Sequence, residues 1–353
     1  MKIHEIETPA LILDKHALEK NFQEMDRLLD GSPMTLYPHY KSNKCPRIAQ
    51  MQMQHGAGGI TCAKLSEAED LAEAGISTIV IANQVVQAEK LPRLAALAGR
   101  CDLTVCADDP ENVLALEQAM AAASGQLRVL VEYEVGMRRC GVETPEEFLF
   151  LAQLIDAQPH LIFEGIQAYA GHLSHESDAS RRKTELLDIE ARIKALKAFV
   201  EQNGLPVRNV CGGSTGTAAD KPLDTAYTQL QAGSYLFMDA TYETLNLRFQ
   251  QALFLLTTVI SVKEDRVMLD GGVKSLAMDQ AVPVFPALPD AEIIFSEEHT
   301  TLLARNTSLK LGDNMRCIPG HCCTTMNIHD KIYLVDGEDV VDVWAITSRG
   351  KAQ

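Results

Sequence analysis

No apolar run in this chain approaches the ~20 residues that cross a bilayer, so a membrane-spanning helix is not expected. A basic excess is also missing: Lys and Arg number 32 against 48 Asp and Glu, and the formal net charge is −16. Nucleic acid and anionic lipid are polyanions that need a basic patch, so neither is an expected partner. The opening residues, MKIHEIETPALILDK, lack a basic stretch followed by an apolar one; no secretory signal is visible and the expected compartment is the cytoplasm. The nine cysteines show no paired zinc-finger spacing, and most are expected to be reduced, buried, small hydrophobes. Internal repeats, low-complexity stretches and long linkers are absent too. What remains is an ordinary globular composition, 46% apolar and 23% charged, which makes small-molecule chemistry the leading functional class.

A length of 353 residues matches one barrel of ~250 residues plus an appended domain of about 100. Short β-branched runs alternate with amphipathic stretches rich in Ala, Leu, Glu and Lys, the mark of repeated βα units. Eight strand candidates can be counted, at 35–41, 58–63, 78–83, 103–108, 127–135, 163–171, 207–215 and 230–237. Helix candidates lie between them, and DDPENVLALEQAMAAA and TPEEFLFLAQLIDA open with Asp or Thr where a cap is wanted. The longest helix is expected from about Ser177 to Asn203, closed by Gly204. From about 250 the pattern turns to strands broken by Gly, Pro and Asp. The expected fold is α/β: a (β/α)8 (TIM) barrel over residues 10–243 and a mainly-β domain over 244–353.

Barrel enzymes carry their chemistry at the C-terminal strand ends, and Lys41 stands at the end of the first strand, in YPHYKSNK. A lysine there reaches the barrel mouth, where burial and a cationic neighbour such as Lys44 or His39 lower the pKa of an amine meant for Schiff-base chemistry. The residues alone fit a solvated loop lysine as well. After the seventh strand, CGGSTGT (211–217) offers glycines and the Ser214, Thr215 and Thr217 hydroxyls as a phosphate cradle, or simply a flexible turn. A second glycine turn at the eighth strand, AGSYLFMD (232–239), could close the same cup.

PGHCCTTMN (319–327) places His321 and Cys323 two residues apart; in an extended segment both share one face, offering imidazole and thiolate to a divalent ion with open positions left for water or substrate. Two buried cysteines beside a structural histidine fit the same residues. AYAGHLSH gives Tyr169, His172 and His175 around the sixth strand end, able to meet a planar cofactor and to shuttle protons, or to face solvent. Arg138 and Arg139 follow the fifth strand, where one can neutralise a carboxylate or phosphate.

Taken in order, YPHYKSNKCP, GMRRCGV, GHLSH, GGSTGT, GSYLFMD, LDGGVKSL, SEEH and PGHCCTTMN resemble the fold-type III pyridoxal-phosphate enzymes, and more narrowly the D-threonine aldolase and D-serine dehydratase group. The resemblance runs from about residue 6 to the end. It implies an alanine-racemase-type barrel, a C-terminal β domain that includes residues 1–9, a homodimer, pyridoxal 5′-phosphate as cofactor and a divalent metal (Zn, Mn or Mg). Residue by residue, it makes Lys41 the Schiff-base lysine, His175 the catalytic base, and His321 with Cys323 the metal pair. It sets Tyr169, Gln84 and Arg139 beside the cofactor, and Ser214, Thr215, Gly216, Thr217, Gly233, Ser234 and Tyr235 at its phosphate. The implied reaction is retro-aldol cleavage of D-3-hydroxy-amino acids, of the D-threonine type, to glycine and an aldehyde. Aldolases of the group usually carry Asp at the second metal position, whereas dehydratases carry Cys, as here. Cys323 therefore keeps open a D-serine or D-threo-3-hydroxyaspartate dehydratase giving a 2-keto acid and ammonia, and a thiolate favours zinc.

Overall fold

The structure, a computed structural model, describes all 353 residues, Met1–Gln353. The chain packs as two compact units: Arg27–Lys41 with Ile48–Gly233 and Lys351–Gln353, and Met1–Asp26 with Ser42–Arg47 and Ser234–Gly350. It opens on β1 (Ala10–Asp14) and α1 (Lys15–Leu29). No helix is long and apolar enough to cross a membrane.

The first unit holds eight parallel strands: β2 (Thr35–Leu36), β3 (Ile60–Cys62), β4 (Thr78–Gln84), β5 (Asp102–Ala107), β6 (Leu127–Glu132), β7 (Leu161–Ala168), β8 (Asn209–Gly212) and β9 (Gln229–Leu230). They pair in the order β2-β9-β8-β7-β6-β5-β4-β3, and a parallel bridge between His39 and Thr61 links the two ends. Every expected barrel strand is present, but several are shorter than expected. The first stops at Leu36 rather than running to Lys41, because Pro38 has no N–H for the ladder and the chain turns into a 3-10 helix, Tyr40–Ser42. The eighth stops at Leu230, short of another 3-10 turn, Ser234–Leu236.

The helices α2 (Pro46–Gln54), α3 (Leu65–Glu73), α4 (Leu91–Ala98), α5 (Pro110–Ala123), α6 (Pro145–Asp156) and α7 (Ala179–Gln202) fall between the strands. The side chain of Asp109 accepts the Glu111 and Asn112 N–H groups at the start of α5, and Thr144 forms a capping box with Glu147 at α6. Asp178 caps α7, whose end is followed by Gly204 at φ +86°, the left-handed position that glycine takes without strain. Inside the barrel, Val80, Cys106, Leu130 and Cys211 form one buried cluster with Tyr37 packed against it. Burial pushes the Cys106 and Cys211 thiols far up, so both are inert apolar filler, the role expected of most cysteines here.

One charge pair lies inside this unit. The Lys221 ammonium stands 3.4 Å from Glu190, with the two side chains 1% and 2% exposed, and 3.3 Å from the centre of the Tyr227 ring. Burial pulls the Lys221 amine down to about 8 against the opposing pull of Glu190. Glu190 also accepts from the Thr225 hydroxyl at 2.5 Å and the Ala226 N–H at 2.8 Å, tying α7 to the loop before β9. Lys221→Met strands the Glu190 carboxylate in the interior and is expected to cost about 3–5 kcal/mol. Denaturant unfolding checks this, and a midpoint unchanged from wild type contradicts it.

The second unit is built on an eight-stranded sheet with β10 (Leu253–Val262), β11 (Arg266–Leu269), β12 (Glu292–Phe295), β13 (Thr300–Leu303), β14 (Asn314–Cys317), β15 (Lys331–Asp336) and β16 (Asp339–Ala345). Its eighth strand is β1, antiparallel to β10 and parallel to β15. β1 thus falls within the range 10–243 expected for the barrel yet is a sheet strand, since its ALILD run is buried on both faces between two ladders. Two short helices, α8 (Ala240–Glu243) and α9 (Cys322–Met326), complete this unit.

Candidate active site

Lys41 sits in the 3-10 turn that follows β2. The turn is held by its neighbours: the fully buried Tyr40 donates its hydroxyl to Asp70 on α3 at 2.9 Å, and the Lys41 N–H donates to His39 Nδ1 at 3.3 Å. The Lys41 ammonium lies 5.4 Å from the centre of the Tyr169 ring, and the Arg139 guanidinium lies 5.7 Å from it.

These groups line one cavity of about 170 Å³, together with Gln84, Glu132 and Gln167. Side chains on a strand alternate in direction, so Ala82 and Glu132 share a face with Val80 and Leu130 of the apolar cluster and stand one step further toward the C-terminal ends. The cavity therefore lies at the end of the barrel where such enzymes work. Gln84 donates to the Glu132 carboxylate at 2.6 Å, and Arg139 approaches the other oxygen at 3.6 Å. Burial raises the Glu132 carboxyl pKa despite those two partners. Glu132 was not singled out from the sequence; the available signal was one acid at the inward register of the apolar strand LRVLVE.

β8 runs into the GGSTGT turn. Gly212 and Gly213 take φ of +154° and +77°, and a Cβ on Gly213 would fall 2.8 Å from Leu230 and 2.9 Å from Lys221. The Ser214 and Thr217 hydroxyls meet at 3.1 Å across the turn that includes Gly216, whereas the buried Thr215 hydroxyl has no hydrogen-bond partner. An orphaned buried hydroxyl costs ~1–3 kcal/mol, and a bound acceptor such as a phosphate oxygen would satisfy it. Lys41, Tyr169 and this turn suit a phosphorylated planar aldehyde. Of the second glycine turn, Gly233 is buried, Ser234 stands with its hydroxyl 3.6 Å from Cys323 Sγ, and Tyr235 is fully buried against Phe22 and Phe249.

His321 and Cys323 do not lie on an extended strand as expected. His321 is the N-cap of α9 and Cys323 is its second residue, because Asp239 accepts the Cys322 N–H at 2.8 Å and supplies the helix start from a distant part of the chain. The two side chains nevertheless interact. Burial opposes charge on His321, but hydrogen bonding and charge from Cys323, then Asp279, outweigh it and push the imidazole up to about 9. His321 Nδ1 stands 2.8 Å from the Asp279 carboxylate and 3.0 Å from the Thr324 hydroxyl. Imidazole and thiolate form a donor set suited to zinc. Asp279, 42 residues away, carried no local signal.

His172 and His175 belong to the turn after β7, around the 3-10 helix Gly171–Leu173. Tyr169 is braced there by its hydroxyl, 3.2 Å from Ser174 Oγ. The ring of His172 covers Gly136, and its Nε2 is 3.9 Å from Glu185. His175 is half-buried and is not among the residues lining the Lys41 cavity. Arg138 takes φ +52° and its N–H donates to Glu134, leaving Arg139 as the arginine of the cavity.

Residues 13–241 match the family described as alanine racemase, N-terminal domain, and residues 252–335 the putative serine dehydratase domain. The chain is 38% identical to D-threonine aldolase from Arthrobacter sp, over 98% of this chain and 93% of that protein. It is 35% identical to 3-hydroxy-D-aspartate aldolase from Paracoccus denitrificans (strain Pd 1222), with the same coverage. The crystal structure of D-threonine aldolase from Filomicrobium marinum superposes with a TM-score of 0.97 at 35% identity, covering 100% of this chain and 98% of that one. The chain is thus a lyase of the pyridoxal-phosphate-dependent D-threonine aldolase and D-serine dehydratase family, built on the alanine racemase barrel.

Proposed function

We propose that the protein is an aldolase, dependent on pyridoxal 5′-phosphate and a divalent metal, that cleaves D-3-hydroxy-amino acids to glycine and an aldehyde. The observation that carries this reading is the likeness, along nearly the whole chain, to two aldolases acting on such substrates. Lys41 would be the amine that holds the cofactor, with Tyr169, whose ring centre lies 5.4 Å from the Lys41 ammonium, and Gln84 and Arg139, tied through Glu132, as its other neighbours. Ser214, Thr215, Gly216 and Thr217 would hold its phosphate, and Gly233, Ser234 and Tyr235 of the second turn would be its further contacts. When bound, pyridoxal phosphate supplies an electron sink for the pair released at Cα. His321 and Cys323 would hold a zinc-class cation, which would supply Lewis acidity toward the β-hydroxyl oxygen. His175 would take the hydroxyl proton as Cα–Cβ parts, so that the C–O bond becomes the aldehyde carbonyl, and return of a proton to Cα completes glycine.

Cys323 favours a second reading, the dehydratase, and the match of residues 252–335 to the serine dehydratase domain supports it. Product analysis with D-threonine and 3-hydroxy-D-aspartate, each with Zn2+ and with Mn2+, separates the two. Glycine with acetaldehyde or glyoxylate is the expected result; ammonia with 2-oxobutyrate or oxaloacetate moves the protein to the dehydratases. The family resemblance also carries a homodimer, for which light scattering on the holoenzyme should give about twice the 38.7 kDa chain mass.

A further inference from the structure

We propose that Asp279 is the positioning carboxylate of the metal site, fixing the tautomer and orientation of His321 so that Nε2 is presented to the cation. The inference rests on the reading of His321 and Cys323 as the metal's protein ligands. An imidazole binds a metal through one unprotonated nitrogen, and whichever nitrogen is hydrogen-bonded to a carboxylate keeps the proton. Here the Asp279 carboxylate is 2.8 Å from Nδ1. The Thr324 hydroxyl donates to the same carboxylate at 3.3 Å and turns its oxygen toward Nδ1 at 3.0 Å. Both partners of Nδ1 are therefore oxygens able to accept its proton, which leaves the lone pair on Nε2.

Backbone packing holds Asp279 against the histidine. The Ala277 N–H donates to the Thr325 hydroxyl at 3.1 Å, joining the Asp279 segment to α9. A Cβ on Gly320 would fall 1.9 Å from the Ala281 carbonyl oxygen and 2.9 Å from that of Ala277. Only glycine lets the segment lie so close to the residue before His321. A carboxylate and a hydroxyl thus converge on one imidazole, and the close approach at Gly320 holds the Asp279 segment beside it.

The test is equilibrium Zn2+ binding to the pyridoxal-phosphate holoenzyme, read by competition with a chromophoric chelator, in wild type and in Asp279→Ala, Asp279→Asn, His321→Ala and Cys323→Ala. Loss of such a partner weakens a metal site ~10–100-fold. Asp279→Ala is expected to fall in that range, and Asp279→Asn, which keeps an acceptor for Nδ1–H, by less. Cofactor absorbance should be unchanged in both. Zn2+ affinity within twofold of wild type for Asp279→Ala, while His321→Ala and Cys323→Ala lose binding, overturns the role of Asp279 alone. Wild-type affinity in His321→Ala and Cys323→Ala overturns the metal pair, and this inference with it.

Discussion

Lys41→Ala protein supplied with pyridoxal phosphate is expected to lack the visible absorbance of a lysine Schiff base, and its turnover of D-threonine to fall by a factor on the order of 10³ or more. The expectation follows from the cavity, whose lining contains Lys41 and no other lysine. Its turn is anchored through Tyr40 to Asp70, so the amine is presented by rigid backbone beside the Tyr169 ring. A second lysine, Lys221, stands near the glycine turn after β8, but Glu190 and the Tyr227 ring already engage it. Borohydride reduction and peptide mapping of the wild type should place the cofactor on the Lys41 peptide. Retained absorbance in Lys41→Ala, with the label on the Lys221 peptide, would sink the assignment.

The barrel was legible because its strands are buried on both faces and therefore appear as apolar runs such as TIVIAN and LRVLVE, separated by helices with Asp or Thr at their starts. β1 was not, because ALILD is as short as a helix lead-in and its partners, Leu253–Val262 and Lys331–Asp336, lie at the other end of the chain. Lys41 could be placed at the barrel mouth by counting strands. The supporting acids could not: Glu132 acquires its meaning from Gln84, 48 residues earlier, and Asp279 from His321. PGHCCTTMN reads as extended because it follows the broken strand pattern that begins near 250, and the distant Asp239 cap turns it into helix. What the sequence conceals here is the set of side chains that hold other side chains.

The second large effect is expected at His175. His175→Ala should lower kcat by about 10²–10⁴ while leaving the cofactor absorbance intact, since removal of a general base slows proton transfer without touching the lysine. The cavity offers a competitor, because His39 lines it and His175 does not. The hydrogen bond of His39 decides against it. Its Nδ1 accepts the Lys41 N–H at 3.3 Å, so in the neutral ring the proton sits on Nε2, and the one lone pair that could take another is already turned to the backbone. His39 is thus built to donate from Nε2 and to hold the Lys41 turn, and His39→Ala is expected to cost less in kcat than His175→Ala. His175 follows the 3-10 turn Gly171–Leu173 rather than a strand, and the role proposed for it is to take the proton of a substrate hydroxyl. Steady-state kinetics on both variants distinguish them: full activity in His175→Ala with loss in His39→Ala would transfer the proton to His39 and require its hydrogen bond to the Lys41 backbone to break on substrate binding.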